Sequence, residues 1–149
     1  MVVATLYRMV HGGTAREIPY DNNRPRFHDV GVNAWYSHYV IWAYDNGIVN
    51  GISENRFAPN DNVTREQIAT MIHRFARFIE RNDTVYESDQ WETFTDRYQI
   101  STWAEEPLAW ANYHRIVNGR TDTTIVPSGT ALRSEASAIL TRFMKFFGS

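Results

Sequence analysis

Two arginines stand where a positive charge is unfavourable by itself. Arg65 and Arg133 each open a stretch with helical apolar spacing, "TREQIATMIHRF" from Thr64 and "LRSEASAILTRF" from Leu132. At a helix start the backbone already presents partial positive charge, so a cation there costs a few tenths of a kcal/mol unless something offsets it. An anion would: exposed backbone N–H groups, the helix dipole and a forked guanidinium converge on one point that suits a carboxylate or a phosphate. For a single arginine the simpler reading is a salt bridge to a nearby Asp or Glu of the same repeat. Its recurrence points toward use. Thr64 with Gln67 three residues on makes a capping box, which contributes about 1 kcal/mol.

Other residue types that could carry chemistry are less organised. Glu105 and Glu106 are adjacent at a helix start, where they complement the dipole and point in different directions, unlike a glycosidase pair. The histidines at 11, 28, 38, 73 and 114 share no metal-ligand spacing, so no metal site and no cofactor is expected. No nucleophile, base and orienting group stand out together, and the expectation is a protein that is not an enzyme. Trp35, Trp42, Trp103 and Trp110 are expected to be buried, as large aromatics usually are. Trp35 and Trp103, in loops ahead of a short helix, are the two that could instead face sugar rings.

The elements that hold these residues repeat. "WAYDNGIVNG" from Trp42 and "WANYHRIVNG" from Trp110 match at an offset of 68 residues, and the register carries Trp35 onto Trp103, Pro59 onto Pro127, Arg65 onto Arg133 and Arg74 onto Arg142. "FHD" at Phe27 and "FTD" at Phe94 agree after a one-residue slip, and "VVATLYRM" from Val2 overlays "IATMIHRF" from Ile68. The chain therefore reads as two full repeats, 27–81 and 94–147, joined by a linker at 82–93. They follow the end of a truncated copy at 1–20, all within one domain, 1–149. Fixed self-similarity at such a period implies supersecondary units that share a core.

Each unit predicts a short helix, roughly Ser37 to Asp45 and Glu105 to Asn112, then a left-handed stop at Gly47, a polar loop from Gly51 or Gly119, and a long helix. Ile68, Met71, Ile72, Phe75, Phe78 and Ile79 follow helical spacing, as do Ala136, Ile139, Leu140, Phe143, Phe146 and Phe147; Val2, Leu6, Met9 and Val10 continue the face in the truncated copy. Three equivalent long helices predict a three-helix core.

Composition bounds what remains. With 43% hydrophobic and 14% aromatic residues the 149-residue chain can bury a core, and a formal charge of -2 gives no general attraction to nucleic acid. There is no cysteine, hence neither disulfide nor thiolate metal site. No apolar run reaches the roughly 20 residues of a membrane span, and the amino terminus lacks a signal-peptide layout.

The ordered set F-x-D, W, "WA…GIVNG", "F-x-P", "TRE" and an apolar helix ending near "RF" resembles the S-layer homology domain family. The resemblance implies an all-α, pseudo-threefold bundle of three long central helices with short outer helices and irregular loops. It implies noncovalent anchoring to the cell wall from outside the cell, through grooves between repeats that bind secondary cell-wall polysaccharide, often bearing pyruvate ketals. Carried over by position, the ligand-binding residues would be Thr64, Arg65, Arg133, Trp35 and Trp103, with Gly51 and Gly119 letting a ring approach the backbone. The partner is then an anionic polymer, with no nucleic acid and no membrane insertion, and a further repeat or a cargo domain is expected in the parent chain. Leu132 removes the capping hydroxyl from the last repeat, and Arg115 replaces the helix-ending glycine at a cost of about 1–2 kcal/mol if the left-handed geometry is kept. A glycan-acting hydrolase and a cell-surface protein-protein module are the alternatives; the hydrolase needs specialised residues that differ between repeats, whereas the polar groups here recur, and the protein-protein module stays open because the same grooves could hold acidic loops of a partner.

Overall fold

The computed structural model describes residues 2–12, 27–31, 34–51, 56–58, 61–80 and 87–148. Among them the chain is all-α as expected, with an isolated antiparallel bridge between Thr64 and Thr130. The helices are α1 (Val2–His11), α2 (Ser37–Asp45), α3 (Arg65–Phe78), α4 (Glu105–Tyr113) and α5 (Arg133–Gly148). They fall into two compact units, Met1–Asp61 and Asn62–Ser149. Pro59 and residues 82–86 of the 82–93 linker lie outside the described residues.

In the first unit α1 packs on α2. The buried positions of α1 are Val3, Ala4, Leu6 and Tyr7, so its inner face is rotated from the expected Val2, Leu6, Met9 and Val10. The reason is aromatic: the Tyr7 ring meets Tyr39 and Trp42 of α2 edge-on at 5.3 and 5.2 Å, drawing that side of α1 inward. α2 spans the predicted residues and ends at Gly47 in the left-handed region, φ 72°, where Ile48 N–H reaches back to Ala43 O at 2.8 Å.

The second unit is built on α3 and α4, with Ile68, Ile72, Phe75, Leu108 and Trp110 fully buried. α3 begins at Arg65 behind the predicted capping box, Thr64 Oγ1 accepting from Gln67 N–H at 3.2 Å and Gln67 Oε1 from Thr64 N–H at 2.9 Å. Its buried face takes in Ala69, His73 and Ala76, while Phe78, expected inside, is exposed because the helix ends there and Glu80 turns left-handed. α5 carries Phe143 edge-on to Phe75 at 5.7 Å, the part of the predicted helix core that lies within one unit. Only Ile139 and Phe143 of its expected face are fully buried.

The two repeats use the same stops and the same tie. Arg115 stands at φ 58° where Gly47 stands in the earlier repeat, and Ile116 N–H donates to Ala111 O at 2.8 Å, so the left-handed geometry is kept despite the side chain. The F-x-D aspartates bind a loop about thirty residues on. Asp96 accepts from Ile125 and Val126 N–H at 2.9 and 2.8 Å, and Asp29 from Phe57 and Ala58 N–H at 2.9 and 2.6 Å. Ala58 and Val126, the second residue of each pair, both have positive φ, so each carboxylate holds a loop in a conformation its side chains disfavour. At Asp29 burial raises the carboxyl pKa, but the two N–H donors and the charge of Arg56 outweigh it and the net shift is downward.

Candidate functional site

The mouth of α3 answers why an arginine opens a helix. Arg65 is buried, at 4% exposure, and its guanidinium is spent inside the unit. Nε donates to Ile125 O at 2.9 Å, Nη1 to Glu135 Oε2 at 2.7 Å, and Nη2 to Asn118 O. The backbone donors are taken as well: Arg65 N–H by Gly129 O and Glu66 N–H by Pro127 O, both at 2.9 Å. Ala131 N–H closes the arrangement on Val63 O at 2.8 Å. The expected free donors at this helix start are therefore occupied by carbonyls of the following repeat's loop, which satisfy them and oppose the dipole as an external anion would.

Glu135 supplies the full negative charge. Its second oxygen accepts from Arg120 Nη2 at 2.8 Å, and the same nitrogen reaches Thr130 O at 2.9 Å. Desolvation alone would raise the Glu135 pKa, but hydrogen bonds and charge from Arg120 and Arg65 hold it below the usual carboxylate range. For Arg65 burial dominates and pulls its pKa down, against the support of Glu135. The simpler sequence reading, an arginine paired with a carboxylate, describes this geometry, with the carboxylate coming from the next repeat rather than the same one.

Glu66, beside Arg65, does a second job. Its carboxylate accepts from Ser101 N–H at 2.9 Å and Ser101 Oγ at 2.7 Å, tying the single turn Thr102–Ala104 to the start of α3. That turn carries Trp103, which is 50% exposed; Trp35, its counterpart in the first unit, is 63% exposed and lies beside Tyr36 and Tyr39. Burial was the expected fate of both, and it holds only for the other pair: Trp110 is fully buried and Trp42 half-buried. The 35/103 position precedes the helix on a turn, and its indole stays at least half open to solvent in both units.

The remaining predicted residues divide by cause. Gly51 has φ 81°, a backbone conformation that favours glycine by itself. At Gly119 a Cβ would stand 2.4 Å from Thr121 O and 2.6 Å from Phe94 Cε1, so the protein's own packing requires the glycine. Arg133 is exposed in the first turn of α5, makes no hydrogen bond or ion pair with another described residue, and follows an uncapped, exposed Leu132. Thus Thr64, Arg65 and the loop around Gly119 come together at the mouth of α3, Trp103 is tethered there through Glu66, and Arg133 stays outside the Arg65–Glu135–Arg120 cluster. Spacing does not single out Glu66, Arg120 or Glu135, since their partners lie 35, 15 and 70 residues away in sequence. The available signal was the carboxylate within each helix-opening motif.

The family model for the S-layer homology domain matches residues 26–69 and 93–137, more than half of the chain, and each match ends within the first turns of a long helix. The chain belongs to the S-layer homology domain family. In this chain, then, F-x-D is the loop tie of both SLH repeats, and Thr64-Arg65-Glu66 is where the first of them meets the second. Among similar proteins, an amylopullulanase of Thermoanaerobacterium thermosulfurigenes is 35% identical over 116 residues, covering 76% of this chain and 6% of that protein. The exoglucanase XynX of Acetivibrio thermocellus is 34% identical over 116 residues, covering 76% of this chain and 10% of the relative. A surface-layer 125 kDa protein of Lysinibacillus sphaericus is 27% identical over 119 residues, 78% of this chain and 10% of the relative. The chain thus spans a tenth or less of the length of these relatives, and what it shares with enzymes and a surface-layer protein alike is its SLH repeats.

Proposed function

We propose that this SLH chain is a noncatalytic anchor that holds a surface protein to the outside of a bacterial cell by binding secondary cell-wall polysaccharide through anionic, pyruvylated sugars. The observation that carries the reading is the exposure of Trp35 and Trp103. Two tryptophans at the same repeat position, each at least half open to solvent, are costly to maintain for packing alone and offer flat apolar faces of the kind a sugar ring stacks on. Arg133 supplies an uncommitted guanidinium for the carboxylate of a ketal, and Arg120, next in sequence to Gly119 and one-third exposed, is a second cation, shared with Glu135 and Thr130 O. Arg65 and Thr64 support the site by fixing the loop that carries Gly119 and Arg120, and an incoming carboxylate would have to displace Glu135 to reach Arg65 itself.

Single contacts of this kind are weak, and retention comes from several sites acting on one polymer by effective concentration. That mechanism uses recurring residues, as a repeat provides them, and needs no chemical step. The test is cosedimentation with purified cell walls, before and after removal of the polymer or of its ketal groups, comparing wild type with Trp103→Ala, Trp35→Ala and Arg133→Ala. Pelleting should fall on polymer removal, on ketal removal and in each variant. Pelleting unchanged by all of these overturns the carbohydrate reading, and release of glycan fragments by the purified chain would replace it with a hydrolase.

A further inference from the structure

His73 sits in the middle of α3 with 3% of its surface exposed and its ring 5.2 Å from that of Trp110 on α4. Its Nε2 has no hydrogen-bond partner and lies 4.0 Å from Glu106 Oε1, in the first turn of α4. The Glu106 side chain is 70% exposed, so one end of this contact is dry and the other wet. A buried nitrogen without a partner is a cost that an apolar ring would avoid. The repeat itself provides the comparison: Tyr7 occupies the same position in α1 and meets Trp42 edge-on at 5.2 Å, as His73 meets Trp110. Packing at this position therefore does not require an imidazole.

We propose that the His73 imidazole, packed on Trp110, is a proton-operated latch between α3 and α4, closed at neutral pH and loosened in mild acid, with Glu106 at the rim as the carboxylate that moderates the loosening. With the imidazole neutral, the ring packs against Trp110 as an apolar group. Once protonated, it carries charge into a buried site where Nε2 has no hydrogen-bond partner, and the carboxylate of Glu106 lies 4.0 Å away at the rim. The charged groups that act on it are Glu106 on α4 and Arg74 and Arg77 on α3, and the His114 ring also lies 5.1 Å from that of Trp110. Burial, foremost, and the two arginines lower the His73 pKa, while Glu106 raises it. The folded state therefore resists the proton more than the unfolded chain does. Stability is fully present above the unfolded value, about 6.5, and is lost as pH falls through it toward the lower folded value.

The experiment follows thermal unfolding of the full chain between pH 7.5 and 5.5, roughly one unit on either side of the ordinary histidine value, for wild type, His73→Tyr and Glu106→Gln. Wild type should lose several degrees of midpoint across that range. His73→Tyr, which installs the residue of the equivalent position, should flatten the profile, and Glu106→Gln should steepen it by removing the carboxylate that supports the charged ring. Should His73→Tyr not fold, nuclear magnetic resonance titration of the His73 ring in wild type and Glu106→Gln decides. A midpoint below the ordinary value, lower still in the variant, supports the latch. A ring titrating at or above the ordinary value, a wild-type midpoint independent of pH, or a Glu106→Gln profile equal to that of wild type overturns it.

Discussion

Arg65 Nη1 and Glu135 Oε2 stand 2.7 Å apart across the 70 residues that separate them, joining the first turn of α3 to the first turn of α5. Removing the arginine leaves Glu135 with Arg120 alone and strands Ile125 O, Asn118 O and the buried cavity of the side chain. Arg65→Ala should destabilise the second unit by about 3 kcal/mol, the range for breaking a buried pair from one side. Chemical denaturation checks it. A loss of wall binding in this variant is therefore to be read only alongside its unfolding curve.

The same pair has an acid limb. Because the folded Glu135 pKa is depressed, the network stabilises fully above the unfolded carboxylate value of about 4.3 and loses that contribution as pH falls through the folded value. Glu135→Gln should be less stable than wild type at pH 7, with the difference shrinking toward about pH 3. Equal destabilisation at both pH values would mean that packing, not charge, links the two helices.

Half-buried Asp96 should matter to stability through the loop it ties. Asp96→Ala leaves the N–H groups of Ile125 and Val126 unpaired and the positive-φ Val126 unsupported, at a cost of about 2 kcal/mol. Urea unfolding measures it, and the Arg65 contact to Ile125 O should weaken with it, so a double mutant with Arg65→Ala should be less than additive.

Arg115→Gly should raise stability by about 1 kcal/mol, because φ 58° suits glycine and the exposed arginine side chain gives little in return. A thermal shift upward checks it. A downward shift would show that Arg115 makes contacts worth more than the strain.

Arg133→Ala and Trp103→Ala should separate folding from binding. Both side chains are exposed, so each unfolding midpoint should stay within about 0.5 kcal/mol of wild type while cosedimentation with walls falls. Loss of stability matching loss of pelleting would remove these residues from the proposed site.

Local signals settled the parts of this protein that depend on neighbours in sequence. Thr64 and Gln67 are three residues apart, so the capping box at α3 was legible, as were the extent of α2, the left-handed stop at Gly47 and the repeat that places them, whereas that Arg115 keeps the left-handed geometry was decided by the structure. The inner faces of the long helices were legible only in part, because which side of a helix turns inward depends on the rings opposite, as Tyr7 shows against Tyr39 and Trp42. The fate of Arg65 was beyond the sequence: an exposed guanidinium awaiting a ligand and a buried one bound to Glu135, Ile125 O and Asn118 O have the same local sequence. Partners 53 to 70 residues away decide between them, and chain folding alone brings those partners within hydrogen-bond reach. The exposure of Trp35 and Trp103 was likewise a tertiary outcome, since an aromatic on a turn is buried or open according to what packs over the turn.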